Sequence, residues 1–134
     1  MSYEERADEL FALMCRRPDE PVPLWPSNGF RGQFIILRCL LEAGGERFAG
    51  DLAQALHVTT GRVATAIKRL EAMGFVTKRK GNADGRRTLI TITDAGRDAL
   101  LARETHIRGF LTERLRRLSE AEAAEYVRLM QKMR

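Results

Sequence analysis

The side chains best placed to do chemistry in this sequence are cations with small neighbours. In TGRVATAIKR, a period of 3.6 residues brings Gly61, Thr65 and Lys68 to one face, flanked by Ala64 and Arg69, with Thr60 at its start and Arg62 at its border. Small residues near the start of such a face permit close approach of another surface. A helix fits the major groove of B-form DNA with its N-terminal side chains at the base edges, so Lys68 and Arg69 would meet phosphates or a guanine edge. Further along, Lys78, Arg79, Lys80, Arg86 and Arg87 put five cations around a turn-rich GNADGR. A projecting basic ribbon can insert an arginine into a narrow minor groove, where the potential is most negative. Asp84, two residues before Arg86, is placed to hold that guanidinium through a charge-assisted hydrogen bond.

Positioning these groups needs a scaffold, and the hydrophobic pattern supplies one. The periodicity predicts a first amphipathic helix over 3–16, with Ala7, Leu10, Phe11 and Met14 on one side. RRPDEPVPLWPSNG holds all four prolines and predicts an ordered loop or extended arm. From Phe30 to about Ala43, FRGQFIILRCLLEA is apolar on nearly all sides, which predicts a buried central helix stopped by Gly44-Gly45. A short helix over 50–56 turns Leu52, Ala55 and Leu56 inward, His57-Val58 forms the turn, and Thr59 is placed to cap the next helix. That helix turns Val63, Ala66, Ile67, Leu70 and Met73 inward and ends at Gly74.

FVTKRK and RTLITIT then predict the two strands of a hairpin. Thr93 caps a long helix reaching about Leu118, and Ser119 with Glu122 makes a capping box for a last helix to about Met133. Two short helices joined by a tight turn, a hairpin and a long helix predict a mainly α fold with a small β-hairpin wing, the winged helix-turn-helix. The apolar stripe of the last two helices (Leu100, Leu101, Ile107, Phe110, Leu111, Leu115, Val127 and Met130) has no obvious partner within the chain. A second copy would supply one, so the expected state is a homodimer. Residues 1–134 read as one domain, with 31–93 the DNA-binding lobe and 1–30 and 94–134 the arm and dimerisation helices.

Composition agrees with this reading. A chain of 134 residues with 44% hydrophobic and 31% charged side chains can bury one core, which argues against disorder. The formal charge of +5 is unevenly spread: residues 51–93 hold 8 basic and 3 acidic groups, against 6 and 8 in residues 1–50 and 9 and 7 in 94–134. The expected partner is therefore double-stranded DNA met by the middle of the chain. No stretch reaches the roughly 18–20 apolar residues of a membrane span, and the start is acidic rather than signal-like, so the expected place is the cytoplasm and no membrane partner is expected.

The remaining reactive side chains have plainer readings. Cys15 and Cys39 lie in apolar helical patterns and read as thiols in a reducing compartment, although Cys15, beside Arg16 and Arg17, could instead serve a redox sensor. His57 and His106 stand outside any cluster with metal-ligand spacing, so no metal or cofactor is expected. Trp25, among the prolines, could line an effector pocket or anchor the loop. No nucleophile elbow, phosphate-binding glycine loop or carboxylate pair stands out, which argues against an enzyme. A winged helix that only binds protein is the rival from another class, and the concentrated lysines and arginines argue against it.

HVTTGRVATAIKRLEAMGFVTKRK resembles the recognition helix and wing of the MarR family of bacterial regulators. DGRRTLITITDAGR resembles that family's wing signature, Asp-x-Arg followed by a strand and a Thr-x-x-Gly helix start. The resemblance implies a triangular dimer held by the first and the last two helices. It also implies pseudo-palindromic operators and, often, release by a small molecule. The proline-rich segment with Trp25 matches no motif of the family, so the resemblance does not identify an effector.

Overall fold

The computed structural model describes residues 1–14, 32–80 and 87–133. In chain order these form α1 (Tyr3–Met14), α2 (Gly32–Glu42), β1 (Glu46–Phe48), α3 (Ala49–Leu56), α4 (Thr60–Ala72), β2 (Val76–Lys80), β3 (Thr88–Ile92), α5 (Asp94–Leu115) and α6 (Glu120–Met133). The fold is mainly helical with one small antiparallel sheet of order β1-β3-β2. The hairpin pairs Val76 with Ile92 through to Lys80 with Thr88. The strand β1, absent from the sequence reading, pairs Glu46 with Thr91 and Phe48 with Leu89. Three residues are too few to show an alternating pattern.

The described residues divide into two compact units, one spanning 32–101 and the other combining 1–14 with 102–133. The first closes round Ile36, Leu37 and Leu40 of α2, Leu52 and Leu56 of α3, Val63, Ile67 and Leu70 of α4, Val76, Ile90 and Ile92 of the hairpin, and Leu100 of α5. Phe34, Ile35 and Leu41 of α2 pack at the edge of this core rather than inside it. On α3 the third inward residue is Ala53, while Ala55 is half-buried, which corrects the expected face by two positions. Met73 is also corrected: it follows α4, is 46% exposed, and takes no part in the core. The cause is Gly74, whose φ of +78° turns the chain so that Phe75 N–H reaches back to Leu70 O at 2.9 Å.

A knot of hydrogen bonds joins the end of α4, the end of β3 and the start of α5. The Thr93 hydroxyl donates to Gly74 O at 2.6 Å and accepts from Gly96 N–H at 3.0 Å, and Thr93 N–H donates to Phe75 O at 3.0 Å. The threonine is thus both N-cap and inter-element tie. Gly96 lies against the same carbonyl: a Cβ placed there would stand 2.2 Å from Phe75 O. This close approach is the physical content of the Thr-x-x-Gly pattern.

The second unit packs Ala7 and Leu10 of α1 with Leu111 and Leu115 of α5 and Ala123 and Met130 of α6. Leu100, Leu111, Leu115, Val127 and Met130 are therefore buried within the chain, which corrects the expectation that the whole stripe lacks an internal partner. Leu101 and Phe110 stay exposed, and Ile107 is half-buried. Arginines of α5 fasten α1: Arg108 pairs with Asp8 at 3.4 Å and lies over the Phe11 ring, and Arg116 pairs with Glu4. The Tyr3 hydroxyl donates to Leu118 O at 2.8 Å. The capping box closes as its residue types predict, with Ser119 N–H donating to Glu122 Oε1 at 2.9 Å and Glu122 N–H to Ser119 Oγ at 3.1 Å. These bonds to Ser119 hold the Glu122 carboxyl below its ordinary pKa.

Candidate nucleic-acid interface

The segment before α4 makes the sharp corner of a helix-turn-helix. His57 takes φ 54° and ψ 44°, a left-handed conformation that ends α3 with its N–H directed to Ala53 O and Gln54 O. Thr59 is extended, and its hydroxyl accepts from Arg62 N–H at 3.2 Å, which starts α4 as its residue type predicts. With Val63, Ile67 and Leu70 fixed in the core, the opposite side of α4 is committed to solvent. Thr60, Gly61, Arg62, Ala64, Thr65, Lys68 and Arg69 are all exposed there, as the periodicity requires. The Thr65 hydroxyl donates back to Gly61 O at 3.0 Å and so keeps the face shallow, leaving the oxygen able to accept a further bond.

On β2 only Val76 is buried, and Lys78, Arg79 and Lys80 are all exposed. Arg62, Lys68, Arg79 and Lys80 have no ion-pair partner among the described residues. Residues 60–80 hold 6 basic groups and 1 acidic group, a net +5 equal to that of the entire chain. The surface formed by α4 and β2 thus carries the whole imbalance, and the rest of the molecule is neutral in sum.

Two of the wing cations are engaged within the protein. Lys78 Nζ lies 3.5 Å from Glu71 Oε1 of α4. Arg87, just before β3, reaches Asp51 Oδ2 of α3 at 3.4 Å and stacks its guanidinium 3.7 Å from the Phe48 ring centroid. Sequence reasoning placed both among the DNA contacts and missed Phe48, Asp51 and Glu71. The signal for the Arg87 tie is the β1–β3 register, which brings the start of α3 beside the start of β3, and it was hidden with β1. Asp84 and Arg86 lie outside the described residues, as do Cys15 and Trp25. Cys39 is half-buried in α2 and forms no disulfide among the described residues. No group of three or more His, Cys, Asp or Glu side chains able to hold a metal ion occurs among the described residues, and no described helix is long and apolar enough to cross a membrane.

Known proteins share this arrangement. The family model described as MarR family matches residues 31–88. An uncharacterised HTH-type transcriptional regulator of Bacillus subtilis, YdgJ, is 29% identical over 97% of this chain and 79% of its own length. An HTH-type transcriptional repressor of Mycobacterium tuberculosis is 28% identical over 87% of this chain and 84% of its own. Among solved structures, YusO of Bacillus subtilis aligns with a TM-score of 0.65 at 20% identity over 98% of this chain and 85% of that one. BpsR of Bordetella bronchiseptica aligns with a TM-score of 0.52 at 26% identity over 98% and 91%. A capped helix with a small, cationic outer face, a basic hairpin beside it, and relatives that are helix-turn-helix regulators over nearly the full length have one common reading: residues 31–88 match the MarR family, and the chain is similar to that family's winged-helix transcriptional regulators.

Proposed function

We propose that this chain acts in the cytoplasm as a homodimer that binds a pseudo-palindromic operator in double-stranded DNA and is released by a small-molecule effector. The observation that carries the reading is that the shallow exposed face of α4 lies within the segment, residues 60–80 of α4 and β2, that holds a net charge equal to that of the entire chain. Each subunit offers Thr60 to Arg69 to a major groove and Arg86 to the adjoining minor groove. The lobe 31–93 does the reading, and the segments 1–30 and 94–134 provide the arm and dimer contact. In support of the dimer, Leu101, Phe110, Tyr126, Leu129 and Met133 are each between 40% and 68% exposed, an apolar surplus that a second copy would cover. In support of the effector, 6-hydroxynicotinic acid regulates DNA binding by the related BpsR. A ligand of this kind acts only through its different affinity for the DNA-competent and DNA-incompetent spacings of the two recognition helices.

Selection of bound duplexes from a random-sequence pool tests the reading. The expected product is an inverted repeat whose halves are centred about one helical turn, roughly 34–36 Å, apart. Enrichment of an asymmetric sequence would remove the dimeric mode, and no enrichment would remove DNA reading altogether.

Gly61 provides a sharper check because stability and binding should move in opposite directions. Its Cβ position meets nothing within 4 Å, so Gly61→Ala should stabilise α4 by about 0.4–1 kcal/mol through lower unfolded-state entropy and better helix propensity. If α4 enters a groove, the added methyl should weaken operator binding about tenfold, roughly 1.4 kcal/mol. A variant that melts higher and binds undiminished would place Gly61 away from the DNA.

A further inference from the structure

We propose that Asp51 and Glu71 are positioning residues for the wing, one acid from each helix of the helix-turn-helix holding one strand of the hairpin. The inference rests on the DNA-binding reading above and concerns how that site keeps its shape. Asp51, in the first turn of α3, holds Arg87 at the entrance to β3, and the Phe48 ring closes the other side of the guanidinium. Glu71, in the last turn of α4, holds Lys78 on β2. One cation on each side of residues 81–86, Lys78 before them and Arg87 after them, is thereby tied to a helix of the helix-turn-helix. Minor-groove and major-groove contacts form together only when ribbon and helix keep a fixed spacing, so ties along the ribbon, at Lys78 in mid-strand and at Arg87 toward the turn, preserve binding that a loose ribbon would forfeit.

Electrostatics alone forecasts the opposite of this proposal. Both acids sit beside the DNA-facing cations, so removing either raises the net charge by one and should strengthen attraction to a polyanion. If the acids serve as ties, removing them should weaken binding despite that gain. Each ion pair is roughly half-exposed, with side-chain exposures of 48% and 48% for Arg87 and Asp51 and 46% and 40% for Lys78 and Glu71, so each tie is individually modest.

The experiment uses the full chain and the duplex it enriches from a random-sequence pool, with affinity measured across salt concentrations for the unmodified protein, Asp51→Asn, Glu71→Gln and Phe48→Leu. The expected result is about fivefold weaker binding for Asp51→Asn and a smaller loss for Glu71→Gln, the salt slope being as steep as before or steeper. Phe48→Leu keeps every charge and should lose a fewfold in affinity with an unchanged slope, which separates the clasp from net charge. Equal or tighter binding by both Asp51→Asn and Glu71→Gln would overturn the proposal while leaving DNA binding intact. Failure of the unmodified protein to enrich any duplex would overturn the underlying function instead.

Discussion

Gly96→Ala should cost this protein roughly 3 kcal/mol or more of folding stability and lower its thermal midpoint by about 10 °C or more. The sign is opposite to the general rule, since alanine in the first turns of a helix normally stabilises through helix propensity and the unfolded chain. The reason is contact with backbone. The new methyl would lie 2.2 Å from Phe75 O, 3.1 Å from Phe75 C and 3.0 Å from Ile92 Cγ1, and a carbonyl cannot rotate aside as a side chain can. Relief requires moving α5 away from the α4–β2 corner, which breaks the bonds from Thr93 N–H to Phe75 O and from the Thr93 hydroxyl to Gly74 O. Thermal and denaturant unfolding check this directly. A midpoint within about two degrees of the unmodified protein would mean that the corner gives way easily.

Ala64→Glu should reduce operator affinity about 100-fold, roughly 2.8 kcal/mol, while leaving the fold intact. Ala64 is exposed in the second turn of α4, between Gly61 and Lys68 on the outer face. Glutamate is a good helix former, and near the N-terminal end it also complements the helix dipole, so melting should be unchanged or slightly raised. In the major groove, however, its carboxylate meets phosphates and base edges that present mostly acceptors, with desolvation added to repulsion. Mobility shift or fluorescence anisotropy with the selected duplex measures the effect. Affinity within threefold of the unmodified protein would turn the binding mode away from α4.

The helices were readable because each has long periodic stretches and chemically explicit ends. Thr59, Thr93, Ser119 and Glu122 make the cap bonds their types predict. The outer face of α4 was readable for the complementary reason, since fixing Val63, Ile67 and Leu70 inside determines what points out. Single-residue errors arose where the backbone departs from the helical period, as at Met73 beside the left-handed Gly74. The stripe on α5 and α6 was over-assigned to a second subunit because α1 is distant in sequence from both yet supplies Ala7 and Leu10 to the same core. Arg87 shows the limit most clearly: its charge was legible, but its partner depends on a three-residue strand pairing 41 positions away at Phe48 and Leu89.

The concentration of the charge excess on residues 60–80 bears on how the protein behaves outside any promoter. On a sulfonate or heparin resin it should adsorb with a single orientation and elute at higher ionic strength than an evenly distributed +5 would require. Residual cellular RNA would compete for the same patch, so a clean preparation calls for nuclease treatment or a high-salt wash before any thermodynamic titration.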